Sequence, residues 1–188
     1  MDARRLDDPL AIPREPFQRG LVQVYTGDGK GKSTAALGLA LRAAGYGLPT
    51  LIVQFLKGVP YGELAALPAL PSISVRQFGT ADWVHPDRIR DEDRRRAQDA
   101  LDHAGTALAG GRYKLVILDE INVALDWGLV RVEAVLELIR RKPEGVELVL
   151  TGRHAPDEIV EIADLVTEMH EIKHPYQKGV LARCGIEF

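Results

Sequence analysis

The stretch from Thr26 to Thr34 contains the residue types that bind phosphate groups. It consists of Thr26, Gly27, Asp28, Gly29, Lys30, Gly31, Lys32, Ser33 and Thr34. Glycines let backbone N–H groups converge on phosphate oxygens, and a lysine beside a helix N-terminus adds a full positive charge. Lys32 is that lysine here, and the hydroxyl of Ser33 or Thr34 is a ligand for a magnesium ion. We expect all nine residues to contribute to a nucleotide-binding loop.

This loop departs from the general pattern G-x-x-x-x-G-K-[ST] at its first position. Thr26 stands where the first glycine is expected, Gly27 follows it, and a second lysine, Lys30, lies inside the loop. A basic surface turn that binds no ligand is the alternative interpretation. An acidic strand end later in the chain favours the phosphate-binding interpretation, because the two motifs occur together in P-loop proteins.

That acidic strand end follows the apolar run 115–118 and consists of Asp119 and Glu120. P-loop proteins use such a residue to hold magnesium, directly or through water. We expect Asp119 and Ser33 to be the metal ligands and, with Lys32, to be the catalytic residues. Glu120 would either polarise a water molecule or shape the site. An acidic strand end without a metal is the alternative.

Arg153 and Trp83 are further candidates for ligand contact. Arg153 follows a predicted strand end, where it would contact phosphates or an acidic substrate, and a surface salt bridge is the alternative. Trp83 lies in a polar loop. A tryptophan in a loop is suited to stacking against a large flat ligand, although core packing is the usual role of this residue. The polar segment 173–179 would cover the nucleotide or close the last strand.

The elements that must position these side chains alternate between strands and helices. The strand candidates are 21–25, 50–55, 73–78, 114–118, 147–150 and, more weakly, 165–172. The helix candidates are 33–44, 91–109, 132–141 and 156–163. Most of the strand candidates are apolar throughout, which is typical of parallel strands covered on both faces. This alternation predicts an α/β fold, a single-domain P-loop-type open and mostly parallel sheet with helices on both faces. Ligands bind outside the carboxyl ends of such strands, so loops 56–71 and 79–90 are expected beside the phosphate-binding loop.

The length, composition and net charge of the chain limit its domain organisation and the kinds of partner it can bind. The chain has 188 residues, which predicts one domain at 20–188 preceded by an N-terminal arm at 1–19 that is expected to be mobile. The net charge of −3 argues against broad nucleic-acid binding. No apolar run reaches the length of about 18 residues that a membrane helix needs. The one cysteine, Cys184, excludes an intrachain disulfide and fits the cytoplasm.

The chain resembles the P-loop corrinoid adenosyltransferases from about residue 21 to 188. The motifs that carry the resemblance are 25–35, 53–58, 61–63, 116–122, 151–153, 163–169 and 172–179. Thr26 and Lys30, which depart from the general loop pattern, are typical of this family. The resemblance implies that Trp83 packs near the lower face of a corrin ring. A second, adjacent aromatic residue is missing, because Ala81 and Val84 stand on either side, unless Phe78 or Tyr61 serves in its place.

The resemblance also implies the reaction. ATP and a reduced corrinoid would be the substrates, and Co(I) would attack C5′ of ATP and release triphosphate during adenosylcobalamin synthesis or salvage. It further implies Mg²⁺, an electron donor for Co(II) reduction, and a homodimer. Co(I) is itself strongly nucleophilic, so the protein would align the reactants and stabilise charge on the triphosphate without a general base. The motifs alone leave two alternatives open, a small P-loop ATPase or kinase and a nucleotide-binding regulatory module.

Overall fold

Six parallel strands in the order β3-β2-β4-β5-β1-β6 form the centre of the fold. The computed structural model describes residues 17–59, 61–82 and 84–187. The strands are β1 (Val22–Thr26), β2 (Thr50–Gln54), β3 (Ile73–Gln77), β4 (Leu115–Asp119), β5 (Glu147–Thr151) and β6 (Leu165–Glu168). The helices are α1 (Lys32–Gly45), α2 (Gly62–Ala66), α3 (Asp91–Ala109), α4 (Ile121–Asp126), α5 (Val132–Arg140) and α6 (Asp157–Ile162). Short 3₁₀ helices lie at Leu67–Ala69, Pro86–Arg88 and Pro175–Lys178.

Side chains of the central strands alternate between two hydrophobic cores, one on each face of the sheet. In β4, Val116 and Leu118 pack with helices α3, α4 and α5, whereas Leu115 and Ile117 pack with α1. All five residues of β4 are buried. A strand that is covered on both faces must be apolar along its whole length, which explains the uninterrupted run in the sequence.

The predicted fold class, a single α/β domain with an open parallel sheet and helices on both faces, is confirmed. The strand predictions agree closely, except that β6 ends at Glu168 and does not continue to residue 172. Two short helices, α2 and α4, were not predicted. Their five and six residues are too few to establish a helical period.

The predicted N-terminal arm lies mostly outside the described residues, which begin at residue 17. From residue 17 the chain leads directly into β1 at one side of the sheet. Within the described part of the chain, no helix is both long enough and apolar enough to cross a lipid bilayer.

Candidate functional site

The phosphate-binding loop lies between β1 and α1, as the sequence predicts, and its backbone requires glycine. Gly27 has a φ of +90° and Gly31 a φ of +115°, both in the left-handed region that L side chains rarely adopt. A Cβ on Gly27 would lie 2.5 Å from the carbonyl oxygen of Met169, and a Cβ on Gly29 would lie 2.6 Å from the same atom. The Gly29 N–H donates to that carbonyl at 2.6 Å. The loop is thus fixed against the backbone that follows β6.

Lys32 begins α1 and its side chain folds over the loop. Its Nζ donates to the carbonyl oxygens of Gly27 at 2.7 Å and Gly29 at 2.6 Å. The side chain is buried. Burial lowers the pKa of Lys32, and the positive charge of Arg153 lowers it further, while the carboxylate of Glu120 acts in the opposite direction. The loop therefore holds a desolvated cation, whose attraction for an anion is stronger than it would be in water.

A cavity of about 940 Å³ opens at the carboxyl edge of the sheet. The predicted site residues that line it are Gly29, Lys30, Gly31, Lys32, Ser33, Thr34, Glu120 and Arg153. Thr80, Ala81 and Asp82, from the loop after β3, line the same cavity. Its volume is within the range of pockets that take cofactor-sized ligands. The sheet thus brings together most of the side chains that the sequence singled out.

Three predicted loop residues, Thr26, Gly27 and Asp28, are not among the described residues that line this cavity. Thr26 Oγ1 accepts a hydrogen bond from the Ala155 N–H at 3.1 Å. The Asp28 carbonyl accepts one from Arg153 Nη2 at 3.2 Å. These contacts attach the phosphate-binding loop to the segment that follows β5, and they place the predicted Arg153 beside the loop.

Asp119 ends β4 and is almost completely buried, with 3% of its surface exposed. Its Oδ2 accepts from Lys57 Nζ at 2.7 Å and from Gln54 Nε2 at 3.3 Å. Its Oδ1 accepts from Thr151 Oγ1 at 2.8 Å. The register of the sheet explains these contacts, because Gln54 of β2 is the direct neighbour of Asp119. Asp119 therefore lies in a network of three strands.

Glu120 lines the cavity and has left-handed backbone geometry, with a φ of +66°. Its N–H donates to Thr151 Oγ1 at 3.0 Å, so the same hydroxyl contacts both acidic residues. Burial raises the pKa of Glu120, and repulsion by Asp119 raises it further, while Lys57 and Lys32 act in the opposite direction. Glu120 thus lines the cavity, whereas Asp119, directly before it, is not among the described residues that line it.

The chemistry of this donor set fits a magnesium ion. Among the described residues, no cluster of three or more His, Cys, Asp or Glu side chains could hold a metal by itself. Magnesium does not require such a cluster, because it usually retains several waters and binds through one or two carboxylates together with substrate phosphates. The hydroxyl of Ser33 and the carboxylates of Asp119 and Glu120 supply oxygen donors of that kind.

The C-terminal segment borders the same cavity. His174, Gly185, Ile186 and Glu187 are among the lining residues. Lys30 Nζ donates to the carbonyl oxygen of Ile186 at 3.2 Å. In segment 173–179, His174 lines the cavity and Pro175–Lys178 forms a 3₁₀ helix next to it, and both roles considered for the segment stay predictions. Trp83 lies outside the described residues, so its predicted contact with a ligand stays a prediction.

Two side chains that the sequence analysis did not select complete the site. Lys57 lies three residues after the end of β2, lines the cavity and forms the ion pair with Asp119. Trp127 lines it from the end of α4. Lys57 had a detectable signal, because it lies in the loop that follows a predicted strand, within the segment 53–58 that already supported the family resemblance. The sequence did not show that Lys57 would face Asp119, because this contact depends on the strand order, in which β2 neighbours β4.

The open parallel sheet, the glycine loop before α1 and the acidic end of β4 together define a protein of the P-loop class. Comparison with known proteins identifies the family. The model of the family described as ATP:corrinoid adenosyltransferase BtuR/CobO/CobP matches residues 18–188. The chain belongs to this family.

Individual relatives agree with this assignment. A corrinoid adenosyltransferase of Sinorhizobium sp. is 40% identical over 176 residues, which cover 91% of this chain and 81% of the relative. One from Pseudomonas aeruginosa is 38% identical over 186 residues, which cover 97% of this chain and 90% of the relative. One from Escherichia coli K12 is 34% identical over 172 residues, with coverages of 91% and 87%.

Proposed function

We propose that this protein transfers the 5′-deoxyadenosyl group of ATP to the cobalt of a Co(I) corrinoid and releases triphosphate, in adenosylcobalamin synthesis or salvage. The observation that carries the proposal is the position of Lys32. In a chain of the ATP:corrinoid adenosyltransferase family, this buried cation lies on a glycine loop at the wall of a cavity of about 940 Å³. A cation in that position is suited to binding a polyphosphate.

The residues of the site would act mainly through position and charge. Lys32, Lys30 and the loop N–H groups would bind the triphosphate and stabilise it as the bond from C5′ to oxygen breaks. Ser33, Asp119 and Glu120 would hold Mg²⁺, which when bound neutralises part of the triphosphate charge. Co(I) needs no proton removed before it attacks carbon. The protein therefore has to align cobalt with C5′ and exclude competing reactions, and needs no general base.

The corrin would bind at the loop after β3. Thr80, Ala81 and Asp82 support this placement, because they line the same cavity as the phosphate-binding loop. We propose that Trp83, the next residue, contacts the corrin ring. ATP and corrin would then meet across one continuous cavity, as a direct transfer between them requires.

Several features carried over from the resemblance remain part of the proposal. We propose that a separate electron donor reduces Co(II), that the protein acts in the cytoplasm as a homodimer, and that residues 1–19 form an arm before the catalytic domain. The single cysteine, Cys184, is exposed and supports a reducing compartment, because no disulfide within the chain is possible.

Product analysis tests the proposed reaction. Purified protein is incubated with ATP and Mg²⁺, with and without a corrinoid chemically reduced to Co(I). The expected result is a Co–C bond, visible in the corrinoid absorption spectrum, and stoichiometric triphosphate that forms only when the reduced corrinoid is present. Release of ADP and phosphate without corrinoid would instead indicate an ATPase. Tight ATP binding without turnover under reducing conditions would indicate a regulatory module.

A further inference from the structure

We propose that Lys57 is a further residue of the transfer reaction, which neutralises Asp119 in this structure and moves onto the triphosphate when a magnesium nucleotide binds. This inference rests on the proposed function. It assigns Lys57 two alternating partners, a carboxylate of the protein and a polyphosphate of the substrate. It also implies that the protein suppresses metal binding at Asp119 until the nucleotide arrives.

The first observation is that protein donors already surround the carboxylate of Asp119. Oδ2 accepts from Lys57 Nζ at 2.7 Å and from Gln54 Nε2 at 3.3 Å, while Oδ1 accepts from Thr151 Oγ1 at 2.8 Å. A dication bound to either oxygen would lie close to the ammonium on the same carboxylate and would be repelled by it. Asp119 can therefore serve as a strong metal ligand only after Lys57 leaves.

The second observation is the constrained backbone around Lys57, which directs its side chain toward Asp119. Leu56 has a φ of +61°, in the left-handed region that non-glycine residues rarely adopt. The Gly79 N–H donates to the Lys57 carbonyl at 2.9 Å, and a Cβ on Gly79 would lie 2.4 Å from the Lys57 nitrogen. Strained geometry of this kind persists only where its surroundings enforce it, and it is concentrated at ligand sites. The backbone of Lys57 is thus fixed, and a change of partner requires only its side chain to move.

The third observation is that the cavity offers Lys57 a second partner. Lys57 lines the same cavity as Lys32 and Ser33, and 17% of its side chain is exposed. Its Nζ lies 5.4 Å from the centre of the Tyr61 ring, which also lines the cavity. A lysine has a flexible four-carbon stem and three rotatable donors, so it can exchange a carboxylate for a phosphate without backbone movement. Lys57 reaches the cavity from the loop after β2, whereas Lys32 reaches it from α1. The two lysines would therefore place positive charge on different sides of the triphosphate.

Metal binding without nucleotide provides the main test. Mn²⁺ is the probe, and its binding to the full-length protein is measured by electron paramagnetic resonance. Lys57→Met keeps an unbranched side chain that is one atom shorter and removes its charge. We expect Lys57→Met to bind Mn²⁺ about tenfold or more tightly than the wild type, a size typical for groups bonded to a metal ligand. Calorimetry should show MgATP binding about tenfold more weakly to the same variant. Lys114→Met, which alters a half-buried lysine at the amino end of β4, outside the cavity lining, should match the wild type in both measurements.

A second pair of variants avoids leaving a buried carboxylate unpaired. In EDTA, Asp119→Asn should bind ATP about tenfold more tightly than the wild type, because Lys57 is released to the phosphates. The double variant with Lys57→Met should lose this gain. An equal gain in the single and double variants, or Lys57→Met with wild-type affinity for both Mn²⁺ and MgATP, would overturn the role of Lys57. A wild-type protein that binds no MgATP would instead refute the proposed function.

Discussion

The two sides of the carboxyl edge of the sheet are stabilised by different interactions. On the phosphate side, the backbone determines the geometry: Gly27 and Gly29 fit against Met169, and Lys32 donates to two loop carbonyls. On the side of the loop 79–90, charged side chains determine it. Substitutions on the phosphate side should therefore impair nucleotide binding and turnover more than substitutions on the loop side.

The contacts of Arg90 illustrate the loop side. Its guanidinium lies 3.1 Å from a carboxylate oxygen of Asp93 and 3.6 Å from one of Asp82, and its Nη2 donates to Thr80 Oγ1 at 3.2 Å. Its side chain is 48% exposed. The pair of Arg90 with Asp82 is exposed on both sides, so it is weak and is rearranged at little cost, whereas the Asp93 side chain is buried. Such a loop adapts to a ligand, while the glycine loop presents one fixed geometry to phosphate groups.

The largest effect is expected for Lys32→Ala. This substitution removes the buried cation that we propose binds the triphosphate, so measurable turnover should be lost, with kcat/KM falling by about 10³-fold or more. The measurement is the rate of Co–C bond formation with chemically reduced corrinoid. The thermal unfolding midpoint of the variant serves as the control for folding. Rates close to those of the wild type would show that charge on the phosphate side does not drive the transfer.

The second prediction concerns the backbone of the phosphate-binding loop. Gly27→Ala introduces a Cβ at a φ of +90° and 2.5 Å from the Met169 carbonyl oxygen. We expect the free energy of unfolding to fall by about 2 kcal/mol and the affinity for MgATP to fall by about tenfold or more, because the loop must shift. Chemical denaturation and calorimetry measure the two quantities.

Gly47→Ala is the matched control for this prediction. Gly47 has a φ of +67°, but nothing lies within 4 Å of a Cβ built on it. Gly47→Ala should lower the free energy of unfolding by about 1 kcal/mol through backbone strain alone and leave the affinity for MgATP unchanged. If both variants lost the same stability and neither lost affinity, the close packing of the loop against Met169 would have no role in nucleotide binding.

Much of the fold was predictable because each central strand is short and buried on both faces. The uninterrupted apolar run that ends at Asp119 indicates a strand covered on both faces, and the structure has that strand as β4. The helix α3 was predicted with its observed ends, Asp91 and Ala109. The helices α2 and α4 were missed, since they contain too few residues for a period to be visible. The exposed edge strand β6 was predicted too long, because Met169 and Ile172 are apolar but lie beyond Glu168, where the pairing with β1 ends.

The candidate site was predictable where one segment carries the whole motif, as the loop around Lys32 does. It was not predictable where the function depends on strands that are distant in sequence. Lys57 and Asp119 are separated by 62 residues and meet only because β2 and β4 are neighbours in the sheet. Thr151 joins them from β5. The sequence contains these residues but does not directly state the strand order that brings them together.

The third prediction tests the loop side of the comparison. Trp83→Ala should raise the KM for the corrinoid about tenfold, because loss of a stacking aromatic weakens binding by that order. The KM for ATP should change little, since ATP is bound by the phosphate side. Trp83→Phe keeps an aromatic surface and should retain most of the corrinoid affinity. Steady-state kinetics with each substrate varied in turn provide the measurement. A change confined to the KM for ATP would place Trp83 on the phosphate side.

The smallest effect is expected for Asp93→Asn, which removes one charge from the loop side. Hydrogen bonds from Arg90 hold the pKa of the Asp93 carboxyl below its ordinary value, and Asp93 also accepts from the Arg90 N–H at 2.9 Å where α3 begins. Protonation of Asp93 therefore favours the unfolded state. Its contribution to stability is fully present above the unfolded pKa of about 4 and is lost as the pH falls through the lower pKa of the folded state.

We expect Asp93→Asn to lower the free energy of unfolding by about 1 kcal/mol at pH 7, since the amide oxygen still accepts the backbone hydrogen bond but no longer carries a charge. The difference in the free energy of unfolding between the variant and the wild type should shrink below about pH 4, because the wild-type carboxyl then loses its charge by protonation. Denaturation curves at several pH values measure this, and kcat should change less than in any variant above. A pH-independent difference would mean that Asp93 stabilises the loop side through shape alone. A loss of turnover as large as that of Lys32→Ala would remove the contrast between the two sides of the site, because the charged loop would then be as intolerant of substitution as the glycine loop.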